Sequence, residues 1–364
     1  MARREDALIA YLCRKGCIEG EDIVSGGISV LQVPGQKPIY RILTAKHAFI
    51  VKQLDSFTDD KIAGLQREYL FLQGAVSFAD FKTVKAHLPS VILYDPQEHI
   101  LVTRYLPYDT GLVFLRRTAA NPRILGQIAG SFLAAVHAID FQKFRRSNLL
   151  RPCFPYLLNP GNIDVHGFGL EKAGHLLDIV HSDHALCDAL ARLGRLWEQS
   201  SLIHCDVKLD NLLVDTNRRA ASGSRTRRHH LFVIDWSTAS IGDRAWDIAT
   251  LIQASITFWL RSISTKGHAT IAEAAQKSVL AWDVPLQFSS SVLRNYTTQN
   301  MSRNEKRNFF LKVIGLAGAS LLANEISDPD IGTKMTAHQV MAMQLGRNLV
   351  VNPEHLCGEA GLRP

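Results

Sequence analysis

An α+β fold is what this sequence predicts: a small antiparallel sheet with one helix in the first third, then a mainly helical part. Between Ile28 and Leu106 the apolar residues come in short runs broken by turn residues, as half-buried strands require. From Arg123 onward they recur at three- and four-residue spacing over long stretches, the period of a helix face. One exception interrupts the helical part: NLLVD (211–215) and LFVIDW (231–236) read as a short hairpin.

Taken in order, MARREDALIAYLCRKGC reads as a short amphipathic helix, since Glu5 and Asp6 break the apolar run that a signal peptide needs. Three strands follow: ISVLQV, then IYRIL after the turn-forming PGQKP, then AFIVKQL after TAKH. Lys52 inside the third strand is an odd place for a charge, tolerable on an exposed edge. Ile62, Leu65, Tyr69 and Leu72 then set a helix that carries Glu68. SVILYD (90–95) and HILVTRYL (99–106) complete the sheet, and a lobe boundary is expected at Leu106-Pro107, dividing 1–106 from 107–364. Beyond it, 123–139, 175–200 and 247–263 carry helical periodicity, and there is no internal repeat.

With 364 residues, 46% hydrophobic and 21% charged, the chain can bury one large core or two joined ones. Its six cysteines form neither a disulfide framework nor a zinc-ligand pattern, so free thiols in a reducing cytoplasm are expected. VIGLAGASLLA (313–323) is bounded by Lys312 and Asn324-Glu325, too short to span a membrane. The net charge of +7 raises the question of a nucleic-acid partner. Its densest run, TNRRAASGSRTRRHH (216–230), is Ser/Arg-rich and lacks apolar anchors, which suits a solvated hairpin loop. Neither a nucleic-acid nor a membrane partner is expected.

LIHCDVKLDN (202–211) contains H-x-D-x-x-x-x-N, and Asp235 ends an apolar strand 24 positions after Asn211. A capped turn between two strands would also use these residue types. The spacing suits phosphoryl transfer from ATP, in which one carboxylate orients the attacking hydroxyl while a second carboxylate and an amide oxygen hold magnesium on the phosphates. Asp206, Asp235 and Asn211 would fill those roles in that order. Lys52 resembles the strand lysine that grips the alpha and beta phosphates, with Glu68 as the partner that fixes it. On the bland reading, Lys52 is an exposed edge lysine and Glu68 a surface helix residue.

IDWSTASIGDRAWDIATLI (234–252) makes the resemblance specific. The chain resembles the aminoglycoside phosphotransferase and choline kinase group, which implies a protein-kinase-like bilobal fold, with an antiparallel-sheet N-lobe that binds nucleotide. ATP and Mg2+ are the cofactors implied. The resemblance further implies that Asp247 accepts hydrogen bonds from the catalytic-loop backbone, that Lys208 neutralises the transferring phosphoryl group, and that adenine meets the backbone around Thr103, Tyr105 and Leu106. His204 is expected to support the loop. The group usually has glycine where this chain has Cys205, and often a second acid where it has Ser237. No G-x-G-x-x-G is present; Lys37 beside Gly35 is the expected phosphate contact, with Gly26-Gly27 as the other candidate loop.

The resemblance implies a kinase acting on a hydroxyl of a small molecule or a peptide. An inactive pseudokinase is the alternative, disfavoured because Lys52, Glu68, Asp206, Asn211 and Asp235 are all present. An antibiotic-resistance aminoglycoside kinase is a second alternative. After Thr250, eight acidic residues face eleven Lys and Arg, a poor balance for a polycationic acceptor. VKQL, REYLFLQ and WDIATLIQASITFWLRSI also resemble a bacterial subset in peptide natural-product pathways. That implies Ser/Thr of a precursor peptide as acceptor and a separate lyase as partner.

Overall fold

A computed structural model describes residues 2–24, 27–33, 38–117, 121–143, 150, 152–216, 229–264, 271–296, 301–328 and 335–355. The chain divides into two compact units. The first is Met1–Tyr108 with Phe232–Ala239, and the second is Asp109–Leu231 with Ser240–Pro364. The division at the end of the sheet falls two residues after the expected boundary. The sequence reading put 232–239 with the helical part, whereas this segment belongs to the first unit. The reason is packing: Trp236, fully buried, stacks on Phe71 at 3.7 Å between ring centroids.

The first unit holds α1 (Ala2–Arg14), α2 (Gly20–Val24), β1 (Ser29–Val33), β2 (Ile39–Leu43), β3 (Ala48–Gln53), α3 (Asp59–Ser77), β4 (Val91–Asp95) and β5 (Ile100–Arg104). The sheet is antiparallel, in the order β1-β2-β3-β5-β4. Strand alternation sorts its two faces. Phe49 and Val51, with Tyr40, Ile42, Ile100 and Val102, form a core with Leu8, Tyr11 and Leu12 of α1. Leu54 and Leu101 pack instead with Leu65 of α3. Lys52 lies opposite Leu101 and Ile39 on central strand β3, in phase with Leu54, and therefore on the α3 face. The edge-strand reading of Lys52 is thereby excluded. The far end of the sheet is tied to α1, where Asp95 accepts from the Tyr11 hydroxyl at 2.7 Å and pairs with Lys15. Hydrogen bonds from Lys15 and Tyr11 hold the Asp95 carboxyl well below the usual carboxylate range.

The second unit holds β6 (Asp109–Thr110), α4 (Gly111–Arg116), α5 (Pro122–His137), α6 (Gly174–Ser182), α7 (His184–Arg195), β7 (Ser201–Ile203) and β8 (Leu212–Asp215). The chain leaves this unit within β9 (His230–Val233) and returns at β10 (Ser240–Gly242), followed by α8 (Arg244–Leu260), α9 (Ile271–Gln276), α10 (Asp283–Tyr296), α11 (Arg303–Ile326) and α12 (Ala337–Val351). The expected 211–236 hairpin is present as β8 beside β9 in the order β6-β8-β9. The basic loop between them lies at 217–228, outside the described residues. The stretch 175–200, read as helical from its periodicity, forms two helices, because Asp183 breaks the run and caps α7 by accepting from the Leu186 amide. α11 is long and apolar enough by composition to cross a membrane. Its stretch Val313–Leu322 is buried in this unit, where it packs on α8 and α12 as a core helix.

Candidate active site

In the first unit three elements converge on one ammonium group. Lys52 Nζ from β3 donates to both oxygens of Glu68 on α3, at 2.8 and 2.7 Å, and to Asp235 Oδ1 at 2.8 Å. Glu68 is 2% exposed, so the surface-helix reading of this residue is also excluded. Burial alone would push the Lys52 pKa down, but the Glu68 and Asp235 carboxylates outweigh it and hold the pKa above its ordinary value.

Asp235 has a left-handed backbone, φ 64°, which a residue with a side chain adopts only where its surroundings impose it. Those surroundings are specific. The Trp236 indole N–H donates to the Val233 carbonyl, Arg67 Nε donates to the Ser237 carbonyl at 3.0 Å, and Ser237 Oγ donates to Asp235 Oδ1 at 2.9 Å. Ser237, standing where a second acid was expected, thus braces Asp235. Thr103 is buried at the end of β5. The Tyr105 amide donates to the Ala48 carbonyl at 3.0 Å. The Leu106 amide has no partner among the described residues. Lys37 and Gly35 lie outside those residues, as does Gly26.

In the second unit β7 delivers the loop 204–211. Asp247, fully buried in the first turn of α8, accepts from the His204 amide at 2.7 Å and the Cys205 amide at 2.8 Å. Its position at a helix N-terminus favours the negative charge. His137 at the end of α5 bonds the same carboxylate through Nε2 at 3.1 Å, while its Nδ1 meets the Tyr296 hydroxyl at 2.9 Å. The Asp206 amide donates to His204 Nδ1 at 3.3 Å, so this fully buried histidine acts as a prop for the loop. Lys208 Nζ donates to Asp206 Oδ2 at 2.7 Å. Asn211 Nδ2 donates to the Asp206 carbonyl at 2.9 Å, and the amide oxygen Oδ1 meets no donor among the described residues.

Cys205 has φ 70°, the left-handed region in which glycine is unstrained. This accounts for the glycine usual at that place. The Cys205 Sγ lies 2.8 Å from Cys153 Sγ, and this hydrogen bond together with burial holds its thiol well above the ordinary range.

Asp206 and Lys208 line a cavity of about 1150 Å³ within the second unit, along with Arg116, Arg117, Arg261 and Asp210. Asp206 and Asp210 are the carboxylates in its lining. Arg67, His137, Cys153, Arg116 and Arg261 were not singled out from sequence. None stands in a spaced motif, and each acquires its place only through the fold.

The model of the APH phosphotransferase enzyme family matches residues 35–277, well over half of the chain. The chain belongs to this family. The match spans Lys52, Glu68, Asp206, Asn211, Asp235 and Asp247. This APH-family phosphotransferase is similar in fold to the choline kinase LicA from Streptococcus pneumoniae, with 16% identity, 96% of this chain and 99% of that chain covered, and a TM-score of 0.52. It is similar also to a choline kinase from Cryptosporidium parvum, with 14% identity, 97% and 96% covered, and a TM-score of 0.53. A third similar structure is the macrolide 2'-phosphotransferase MphH from Brachybacterium faecium, with 15% identity, 96% and 98% covered, and a TM-score of 0.50. No curated protein matches the chain by sequence. The protein-kinase-like fold expected from the sequence is the fold of these structures.

Proposed function

We propose that this phosphotransferase moves the γ-phosphate of ATP to a hydroxyl of a small, neutral or anionic molecule. The observation that carries the reading is Lys52, a largely but not fully buried ammonium at 2.7–2.8 Å from two carboxylates on separate elements. A structural role alone gives weak reason to bury such a set, because desolvation of the charges offsets their attraction.

The donor set suits magnesium. Among the described residues there is no cluster of three or more His, Cys, Asp or Glu. A hard cation of this kind is held by one or two protein oxygens and the substrate's phosphates. Within the first unit Asp235 is the carboxylate suited to hold it, within the second Asn211 carries an amide oxygen of the same hard type, and such a cation would neutralise phosphate charge. Lys52 holds phosphate oxygens, and a phosphate that takes the place of Asp235 on the ammonium leaves that carboxylate for the metal. Glu68 keeps the ammonium in position. The Leu106 amide is the backbone donor for the adenine ring. Asp206 accepts the hydrogen bond of the acceptor hydroxyl and aims its oxygen, and Lys208 counters the charge that develops on the phosphoryl group.

The cavity around Asp206, about 1150 Å³, is slightly larger than the usual small-molecule site. The comparisons give no support to a peptide acceptor or a partner lyase. A pseudokinase reading is disfavoured by Lys52, Glu68, Asp206, Asn211 and Asp235, each present and hydrogen-bonded. The test is incubation with Mg-ATP and a panel of hydroxyl compounds, read by mass spectrometry for phosphate gain. Transfer by the parent and none by Asp206→Asn is expected; equal turnover by both would overturn the assignment.

A further inference from the structure

Cys153 and Cys205 come from segments 52 residues apart, yet their sulfurs lie 2.8 Å from each other, closer than van der Waals contact of two sulfurs. Neither position is accidental. The Cys153 amide donates to the Ile241 carbonyl of β10 at 2.9 Å, and Pro152 bridges the same strand. β10 in turn pairs with β7, which runs directly into the catalytic loop. Cys205 is fixed from its other side by the Asp247 carboxylate. Two anchored backbones thus present two thiols to one another, and closing the remaining gap to a bond of about 2.05 Å takes less than an ångström of movement. Among the other described cysteines, Cys187 donates to the Val180 carbonyl instead.

We propose that Cys153 and Cys205 form a reversible two-electron oxidation site that couples thiol state to the catalytic loop. The oxidant is a small hydroperoxide, and it has a way in, because Cys205 lines the cavity that holds Asp206. Cys153 is the attacking group: as the thiolate it breaks the O–O bond to give a sulfenic acid and an alcohol or water, while Cys205, held as the thiol, is the resolving group. The second thiol attacks the sulfenic sulfur, forms the S–S bond and expels water. In sum two thiols lose two electrons and two protons, and the peroxide is reduced. A reducing interior does not exclude such a pair, since disulfides there are typically transient and sensing.

The cross-link acts on function through position. Cys205 directly precedes Asp206 and holds a left-handed backbone that the chain adopts only under constraint. Pulling Sγ toward Cys153 turns that residue, and a displacement of about 1 Å at a reacting group costs up to about a hundredfold in rate.

The experiment treats the reduced full-length protein with hydrogen peroxide and maps disulfides by mass spectrometry, with no reliance on any acceptor. A Cys153–Cys205 cross-linked peptide, two hydrogens lighter than the reduced pair, is expected, together with slower hydrogen exchange in the 203–211 peptide. ATP turnover should fall about tenfold or more and return with dithiothreitol. Cys153→Ser, and Cys153→Ala should the serine variant fold poorly, should keep the basal rate and lose the sensitivity. Oxidation of other cysteines while this pair stays reduced would overturn the site. A cross-link that leaves loop exchange and turnover unchanged, or equal inactivation of the Cys153 variants, would overturn the coupling.

Discussion

The Asp247 carboxylate and the Cys205 amide meet at 2.8 Å, and the second oxygen of that carboxylate takes the neighbouring His204 amide. One buried anion therefore sets two consecutive peptide planes just ahead of Asp206. Asp247→Asn should break this clamp, since an amide offers one acceptor oxygen and turns an N–H donor toward the other backbone donor. A stability loss of about 1.5–3 kcal/mol is expected for a charged hydrogen bond of this kind. Turnover should fall with the nucleotide KM unchanged. Denaturant unfolding and steady-state kinetics on the same variant check both; a parental kcat would remove the positioning role.

Lys52→Met should cost stability as well as activity, because it takes the ammonium away from Glu68, whose side chain is 3% exposed. Breaking a buried pair from one side costs about 3–5 kcal/mol. The sign of the pH dependence follows from the raised Lys52 pKa. The pairing contributes fully below the unfolded lysine value of about 10.4 and is lost as pH climbs through the higher folded value. The stability gap between parent and variant should therefore hold at neutral pH and narrow only in strongly alkaline buffer. A gap that narrows between pH 6 and 8 would assign the effect to another group.

Trp236 joins Asp235 to the sheet unit by stacking on Phe71, with an interplanar angle of 9°. Trp236→Ala should cost about 3–5 kcal/mol, as for other buried aromatics. It should also weaken magnesium-dependent nucleotide binding, because the left-handed turn at Asp235 loses its support. Phe71→Leu, which leaves apolar volume beneath the indole, should show both effects at smaller size in calorimetry. Full nucleotide affinity in a destabilised Trp236→Ala would separate packing from the site.

The candidate residues stand out in the sequence because phosphoryl transfer, the chemistry proposed for them, needs fixed spacings. Asp206 and Asn211 sit on one loop, and Asp235 follows β9 by two residues. Lys52 and Glu68 were each anomalous alone, and their 2.7 Å contact explains both. What sequence could not supply was pairing at a distance. His137 reads as one helix residue among many until α5 brings it to Asp247. Gly126 and Gly130 read as poor helix formers, yet a Cβ at either would collide with the Phe288 or Val292 carbonyl of α10. The break at Asp183 was hidden by an apolar pattern that continues through it, since periodicity does not register a cap. The assignment of 232–239 to the first unit likewise rests on a tertiary stack, not on any local preference.

The last prediction concerns the acceptor. Arg117 is engaged by Asp109 at 2.6 Å, and Lys208 by Asp206, so neither is free to define the ligand's charge. Arg116 and Arg261 remain. The Arg116 guanidinium lies 5.7 Å from the centre of the Phe258 ring, and Phe258 and Arg261 both line the cavity. Glu325 lies near enough to interact with Arg261, and burial raises its pKa above the ordinary carboxylate value. Two guanidinium groups in such a place suit a carboxylate or phosphate on the acceptor. Arg116→Gln and Arg261→Gln should each raise the KM of an acidic hydroxyl compound by about tenfold, one charged hydrogen bond's worth, and leave the nucleotide KM alone. Gluconate, glucose and glucosamine, compared by calorimetry and by turnover at low and moderate salt, supply the matched series. Tightest binding of the anion, weakened by salt and by either variant, is the expected order; preference for the amine, or efficient kanamycin phosphorylation, would restore a cationic acceptor.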